Sequence, residues 1–355
     1  MTKTKLKNII NLLESWAPLS LAESFDNSGL QIGNLDQDIR NILLAVDLDK
    51  IAMELLENQK YDLIITHHPL FFKPISSINT AKNPGKIIAN LIKKNIALYA
   101  MHTNLDFIDN GVNDALITAY GFDPALGKLI RPKPIAAWCK MIVYLPEENL
   151  TEFQEKIFTQ FPSQIGNYDC CSFSTKGSGF FKPLTGAKPY IGKINQLEKV
   201  PEIKFEFLIK KHEIQNCIDY VRKIHPYEEP AFDIFEEQFS FKKIGVAKYF
   251  KNTKKTDLHT LISKFKCIVI SKIETPIELI AFAPGNASYL AQDFINHKID
   301  LIITGEIGYH EKILLELNNI NVIELGHKES EAFVLPNIKS FIIEKYPNLE
   351  INFPN

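Results

Sequence analysis

Four short apolar runs in this chain each end in a cluster of histidine and carboxylate. Leu63-Ile64-Ile65 leads into Thr66-His67-His68-Pro69, and Ala97-Leu98-Tyr99-Ala100 into Met101-His102-Thr103-Asn104-Leu105-Asp106. Leu301-Ile302-Ile303 precedes Thr304-Gly305-Glu306-Ile307-Gly308-Tyr309-His310-Glu311, and Val322-Ile323-Glu324 precedes Leu325-Gly326-His327-Lys328-Glu329-Ser330-Glu331. Runs of this length, rich in β-branched residues, read as buried strands. Helical spacing fills the gaps, at about residues 4–16, Lys50–Asn58, Gly85–Asn95, Ser288–His297, Glu311–Asn318 and Lys328–Tyr346. Val112–Tyr120 is a further helix, with Gly121 suited to the position just past its end. Strands alternating with helices predict a layered α/β architecture containing parallel strand pairs. Such sheets meet ligands outside the carboxyl ends of their strands, where all four polar clusters fall.

A chain of 355 residues exceeds one small domain. Arg131-Pro132-Lys133-Pro134 is a proline-bearing boundary candidate. From Lys140 to about Glu237 the predicted order is strand, helix, strand, strand, helix, strand, a split βαβ pattern. The alternation then resumes with a helix near Asp257–Phe265 and strands Cys267–Ile270 and Ile277–Phe282. The fold class expected is therefore α/β: a layered α/β/α domain with a mixed sheet, residues 1–130 plus 240–355. It is interrupted by an α+β, ferredoxin-like insert, residues 131–239.

Composition narrows the function. A net charge of −2 predicts no general binding to nucleic acid or anionic membrane. No run approaches the roughly 20 apolar residues of a membrane span. The basic N-terminus lacks the apolar region of a signal peptide. The five cysteines, Cys139, Cys170, Cys171, Cys217 and Cys267, are odd in number and include no C-x-x-C. They argue against a disulfide framework and against a thiolate zinc cluster. The expected location is cytoplasmic.

Successive strand residues point to opposite sides, so His67 and His68 can serve two targets. His327 and Glu331 are four apart and share one face of a helix. Asp106 adds a second carboxylate. Three imidazoles and two carboxylates suit zinc, iron, manganese or cobalt, whereas calcium and magnesium prefer oxygen. Two metal ions about 3.5–4 Å apart are a recurrent hydrolytic device. A lone histidine at a strand end is more often structural, and His102 by itself reads so. Glu306 and His310, also four apart, fit either helix-start chemistry or an acid/base pair. Asp26–Gly33 reads as a turn against the site or a loop gating it. Ala283–Ser288 reads as a strand-to-helix loop. In the insert, Phe180 and Phe181 fit either core or a partner-facing patch, and His225 fits a turn closing a helix.

The segments ITHHPLFF, HTNLD with GVNDALI, TGEIGYHE and ELGHKESE resemble the Ngg1-interacting-factor-three-like family, as does SLAESFDNSGLQIG near the N-terminus. Bacterial members of that family are often labelled GTP cyclohydrolase 1 type 2 homologues. NYDCCSF, GSGFFKPLTGAKPYIG and HPYEEPAFDI resemble the PII/CutA-like insert of its longer members. The resemblance implies a dinuclear metal centre on His67, His68, Asp106, His327 and Glu331, with Glu331 bridging two zinc, iron or manganese ions. It also implies a toroidal homohexamer. Members commonly carry Asp where this chain has Glu306, and more glycines where it has Ala283–Ser288.

The function expected is metal-dependent hydrolysis of a small heterocycle or nucleotide, such as opening of the GTP imidazole ring. His102, His310 and Glu306 are the candidate acid/base or ligand-orienting groups. A non-enzymatic metal store, sensor or regulatory scaffold is the alternative, and a protein-partner module built on Phe180 and Phe181 is a third.

Overall fold

The computed structural model describes residues 4–134, 138–165, 167–236, 243–253, 258–270 and 276–354. The chain divides into two compact units, one of residues up to 133 together with those from 244 onward, the other of residues 134–243.

The first unit holds two mixed sheets where sequence reasoning expects one. In the first, Glu350–Asn352, Asn41–Ala45, Leu63–Thr66 and Ala97–Ala100 run parallel in that order. Gly29–Ile32 closes its edge antiparallel to Ala97–Ala100, so this part of the expected turn or gating loop is a strand. In the second, Leu279–Asn286, Leu301–Glu306 and Asn321–Glu324 are parallel. Ile268–Ile270 flanks them on one side, and Ala247–Lys251 then Lys128–Ile130 on the other, each pairing antiparallel with its inner neighbour. Each half of the unit has enough βαβ repeats to make its own sheet, and alternation alone does not say which strands pair.

Helix Leu6–Trp16 buries Leu6, Ile9, Ile10 and Leu13, its 3–4 spaced stripe, against the first sheet. Helix Lys50–Asn58 begins at Asp49, whose side chain accepts the Ala52 amide at 2.9 Å. The helix expected over Lys328–Tyr346 is broken into His327–Glu331, a 3-10 turn Ala332–Val334 and Leu335–Lys345. Pro336 sits at the start of the last piece, where its missing N–H ends the preceding ladder. The expected helix Asp257–Phe265 is observed as Leu258–Ile262, with Asp257 outside the described residues. Among the described residues no helix is long and apolar enough to cross a membrane.

One buried ion pair ties a helix of this unit to its second sheet. Lys248 Nζ lies 2.6 Å from Asp114 Oδ1, with only 14% and 6% of the two side chains exposed. Lys248→Met leaves the Asp114 carboxylate buried without a counter-charge, which costs about 3 kcal/mol. The thermal midpoint should drop by several degrees, and adding Asp114→Asn should recover much of the loss. A single variant melting like the wild type refutes the pair's role.

The second unit is a four-stranded antiparallel sheet in the order Phe232–Glu236, Trp138–Pro146, Glu198–Lys210, Ser172–Phe181. Helices Leu150–Gln160 and Ile214–Ile224 cover one face, packing Phe153, Ile157, Cys217 and Val221 onto Met141, Val143, Phe205 and Phe207. None of the five cysteines, all among the described residues, forms a disulfide.

Candidate metal centre

The site lies at the carboxyl ends of strands from both sheets of the first unit. Just past Leu63–Thr66, the His67 and His68 amides bond the Ala45 and Val46 carbonyls at 3.1 and 2.9 Å. The chain bends at both residues, and the two rings stand 4.9 Å apart between centroids. Beyond Ala97–Ala100 the chain turns at His102 into the four-residue helix Thr103–Asp106. Gly326, at φ +100°, starts His327–Glu331, which places His327 and Glu331 on the inward side.

Each imidazole is tied at Nδ1 and faces the hollow with Nε2. His67 Nδ1 donates to the Met101 carbonyl at 2.7 Å, and its Nε2 lies 3.6 Å from Asp106 Oδ1 and 3.8 Å from Glu331 Oε1. His68 Nδ1 pairs with Asp47 Oδ1 at 2.9 Å, leaving Nε2 3.3 Å from Glu331 Oε2. His327 Nδ1 pairs with Glu306 Oε1 at 3.0 Å, and its Nε2 lies 3.2 Å from Glu331 Oε1. An acceptor at Nδ1 fixes the proton there and turns the Nε2 lone pair inward, as metal-ligating histidines require. The structure thus brings His67, His68, Asp106, His327 and Glu331 around one hollow.

His102 carries the same device. Its Nδ1 lies 2.7 Å from Asp26 Oδ1, and a ring nitrogen lies within 4.8 Å of those of His67 and His68. Asp26 also accepts from Thr103 and Ser28. Burial pushes its carboxyl up, but these bonds outweigh it and hold the group well below the usual range. His310 is elsewhere: it is exposed on helix Tyr309–Leu317, its ring against Tyr309. Glu306 is at the site through its bond to His327 Nδ1 and a 3.2 Å bond from Asn286.

Charge in the hollow is poorly balanced by protein alone. Burial raises the Glu331 carboxyl, yet His67, His327 and His68 lower it further, so it is ionised at neutral pH. Desolvation, then the charges of Glu331 and Asp26, push Asp106 well above its ordinary range, although 24% of its side chain stays exposed. His327 rises to about 9, chiefly through its bond to Glu331. Glu331 Oε2 is buried and has no hydrogen-bond partner. A cation between these groups would take the place of the His327 Nε2 proton and satisfy the orphaned oxygen, the ring lone pairs and the two carboxylates together. The donor set therefore fits a metal.

Burial pushes the His67 ring down to about 4, so it is neutral. Below about 6.5 the unfolded chain protonates this ring and the folded chain does not, so its contribution is complete above 6.5 and is lost as pH falls toward 4. Metal-free protein should lose about 3 kcal/mol across that window by denaturant titration, and His67→Gln should flatten the acid limb. Parallel profiles for the two proteins contradict a neutral His67.

Sequence reasoning missed Asp47 and Asp26 as partners, and Gly285. Asp47 carried the signal used for the others, a carboxylate just past an apolar strand, Asn41–Ala45. Gly285 falls in a stretch read as a strand-to-helix loop. It belongs instead to strand Leu279–Asn286, where a register shift between Ala283 and Asn286 bends the chain toward the site. A Cβ there would sit 2.5 Å from Glu331 Oε1.

Fold and site together define an α/β protein with an imidazole–carboxylate centre able to hold metal, where two mixed sheets present their strand ends. The chain belongs to the Duf34/NIF3 (NGG1p interacting factor 3) family, which it matches over residues 4–355. It is 32% identical over 334 residues to the GTP cyclohydrolase 1 type 2 homolog of Halalkalibacterium halodurans, covering 90% of this chain and 88% of that one. The protein of that name from Staphylococcus aureus is 32% identical over 361 residues, covering 98% and 95%. Among solved structures, a Bacillus cereus protein related to NIF3 superposes with a TM-score of 0.80 at 28% identity, over 99% of this chain and 97% of that one. The Staphylococcus aureus protein SA1388 gives 0.69 at 25% identity, over 100% and 97%.

Proposed function

We propose that the centre holds two divalent cations and that the protein hydrolyses a small heteroaromatic or nucleotide substrate. The observation that carries this reading is the convergence of three tied imidazoles on Glu331, whose Oε2 is buried and unbonded. His67 with Asp106 would hold one ion, His68 with His327 the other, and Glu331 would be shared. Mixed nitrogen and carboxylate donors favour zinc, iron or manganese. When bound, such ions supply Lewis acidity for hydrolysis.

The chain's own residues do the rest. The Met101 carbonyl, Asp47 and Glu306 fix the three imidazoles. His102, pinned by Asp26, would take up or return the proton of the reaction. Phe72, 6.1 Å from His102 and 6.4 Å from Phe25 between ring centroids, offers an aromatic wall that suits a planar ring.

The names of the curated relatives make GTP the first substrate to test. Metal-loaded protein should change the ultraviolet spectrum of GTP as its imidazole ring opens, and His67→Ala should abolish the change. Metal retained without turnover on GTP sinks this substrate and favours a store or sensor. The same reading takes the second unit as PII/CutA-like, on its strand order, and the assembly as a toroidal homohexamer, on the family resemblance. Light scattering that returns a monomer mass ends the hexamer proposal.

A further inference from the structure

The segments Gly177–Pro183 and His225–Pro230 have no part in the metal centre, and they meet on the helix-free face of the second unit's sheet. Both helices pack on one side, against residues such as Met141, Val143, Phe205 and Phe207. Alternate residues of the same strands, Tyr144 and Glu202 among them, point to the other side. Between that face and the loop 183–197 lies a cleft of about 410 Å³, lined by Gly179, Phe181, Tyr190, Glu202, Tyr227 and Glu228 among others.

The cleft is built around one carboxylate. Tyr227 Oη donates to Glu202 Oε1 at 2.9 Å. Glu202 lies flat on Gly179, where a Cβ would come within 2.1 Å of Oε2. Tyr227 is placed in turn by His225, whose Nδ1 accepts the Tyr227 amide at 3.0 Å while Nε2 donates to the Tyr144 carbonyl at 3.0 Å. Phe181 and Tyr190 stand with ring centroids 6.1 Å from that of Tyr227. The loop is held over them by the Lys188 amide on Glu228 Oε2 at 2.8 Å and the Lys193 amide on Glu198 Oε1 at 2.9 Å.

Three aromatic rings around a carboxylate complement a positive charge on an apolar body. Ring faces attract cations, and the carboxylate accepts their N–H groups in charge-assisted bonds. Glu202, Glu228 and Glu229 line the cleft against a single cation, Lys182. The volume lies within the roughly 300–1,000 Å³ of small-molecule sites. We propose that this cleft binds a small organic cation, a guanidinium or alkylammonium head carried on an apolar chain.

Butylguanidinium and its neutral isostere butylurea separate charge from shape. Titrated into the full-length protein and followed by calorimetry, butylguanidinium should bind saturably and butylurea at least about tenfold more weakly. Glu202→Gln, which keeps shape, and Tyr227→Ala should each weaken butylguanidinium about tenfold or more. Tyr227→Phe keeps the ring and should lose less than Tyr227→Ala. His67→Ala should bind like the wild type, since the metal centre takes no part. Equal affinity for butylurea, undiminished binding by Glu202→Gln, or no saturable binding overturns the proposal.

Discussion

Replacing Glu331 by Gln should empty the metal centre while leaving the protein folded. The substitution keeps the side chain's size but removes the charge that three imidazoles face. Its Oε1 lies 3.2 Å from His327 Nε2 and 3.8 Å from His67 Nε2, and the unbonded Oε2 faces His68 Nε2 at 3.3 Å. Losing a group that merely orients a ligand typically costs about 10–100-fold in metal affinity. Loss of the carboxylate proposed to be shared should exceed a hundredfold, enough for dialysis to strip the protein. Elemental analysis of the purified variant reads this directly. Unchanged metal content would remove Glu331 from the centre and take the two-ion proposal with it.

Gly285→Ala should damage the same centre without touching a ligand. Gly285 sits at φ +65°, and a Cβ there meets Glu331 Oε1 at 2.5 Å and His327 Nε2 at 3.5 Å. Backbone strain at such a residue costs about 1–2 kcal/mol. The carboxylate must also swing away, because the strand behind Gly285 is held by its parallel neighbour Leu301–Glu306. Metal affinity should fall at least tenfold or so, together with the loss of stability. Gly121→Ala is the control, with φ +82° and a Cβ that would meet only the Lys264 Nζ, at an ordinary 3.6 Å. It should lose stability and keep its metal. If both variants retain metal equally, the glycine is not shaping the centre.

The meeting of His67, His68, Asp106, His327 and Glu331 is legible in the sequence for one reason. Each residue follows closely on an apolar strand run, and strand ends converge in α/β sheets. Most helices are legible too, because their buried stripes repeat every three to four residues, as in Leu6–Trp16. What stays hidden is long-range pairing. Nothing local tells that Glu350–Asn352 joins Asn41–Ala45, or that the unit contains two mixed sheets. Asp26 is hidden likewise, because its hold on His102 depends on a loop crossing to another strand end. His310 shows the limit of spacing arguments. It shares a four-residue interval with Glu306, but the chain leaves strand Leu301–Glu306 before helix Tyr309–Leu317 begins, so the two never share a helical face.

The last strand, Glu350–Asn352, lies beside Asn41–Ala45, and helix Leu335–Lys345 packs its Ile338 and Ile342 into the core of the first sheet. A ribosome making this protein therefore releases the two halves of the hollow far apart in time. His67, His68 and Asp106 emerge first, and His327 follows roughly 220 positions later, a gap of about 10–45 s at ordinary elongation rates. Through that interval the nascent chain offers the rings of His67, His68 and His102 with Asp106, but neither His327 nor Glu331. On the proposed two-ion reading, tight capture of cations must then await the synthesis of His327 and Glu331.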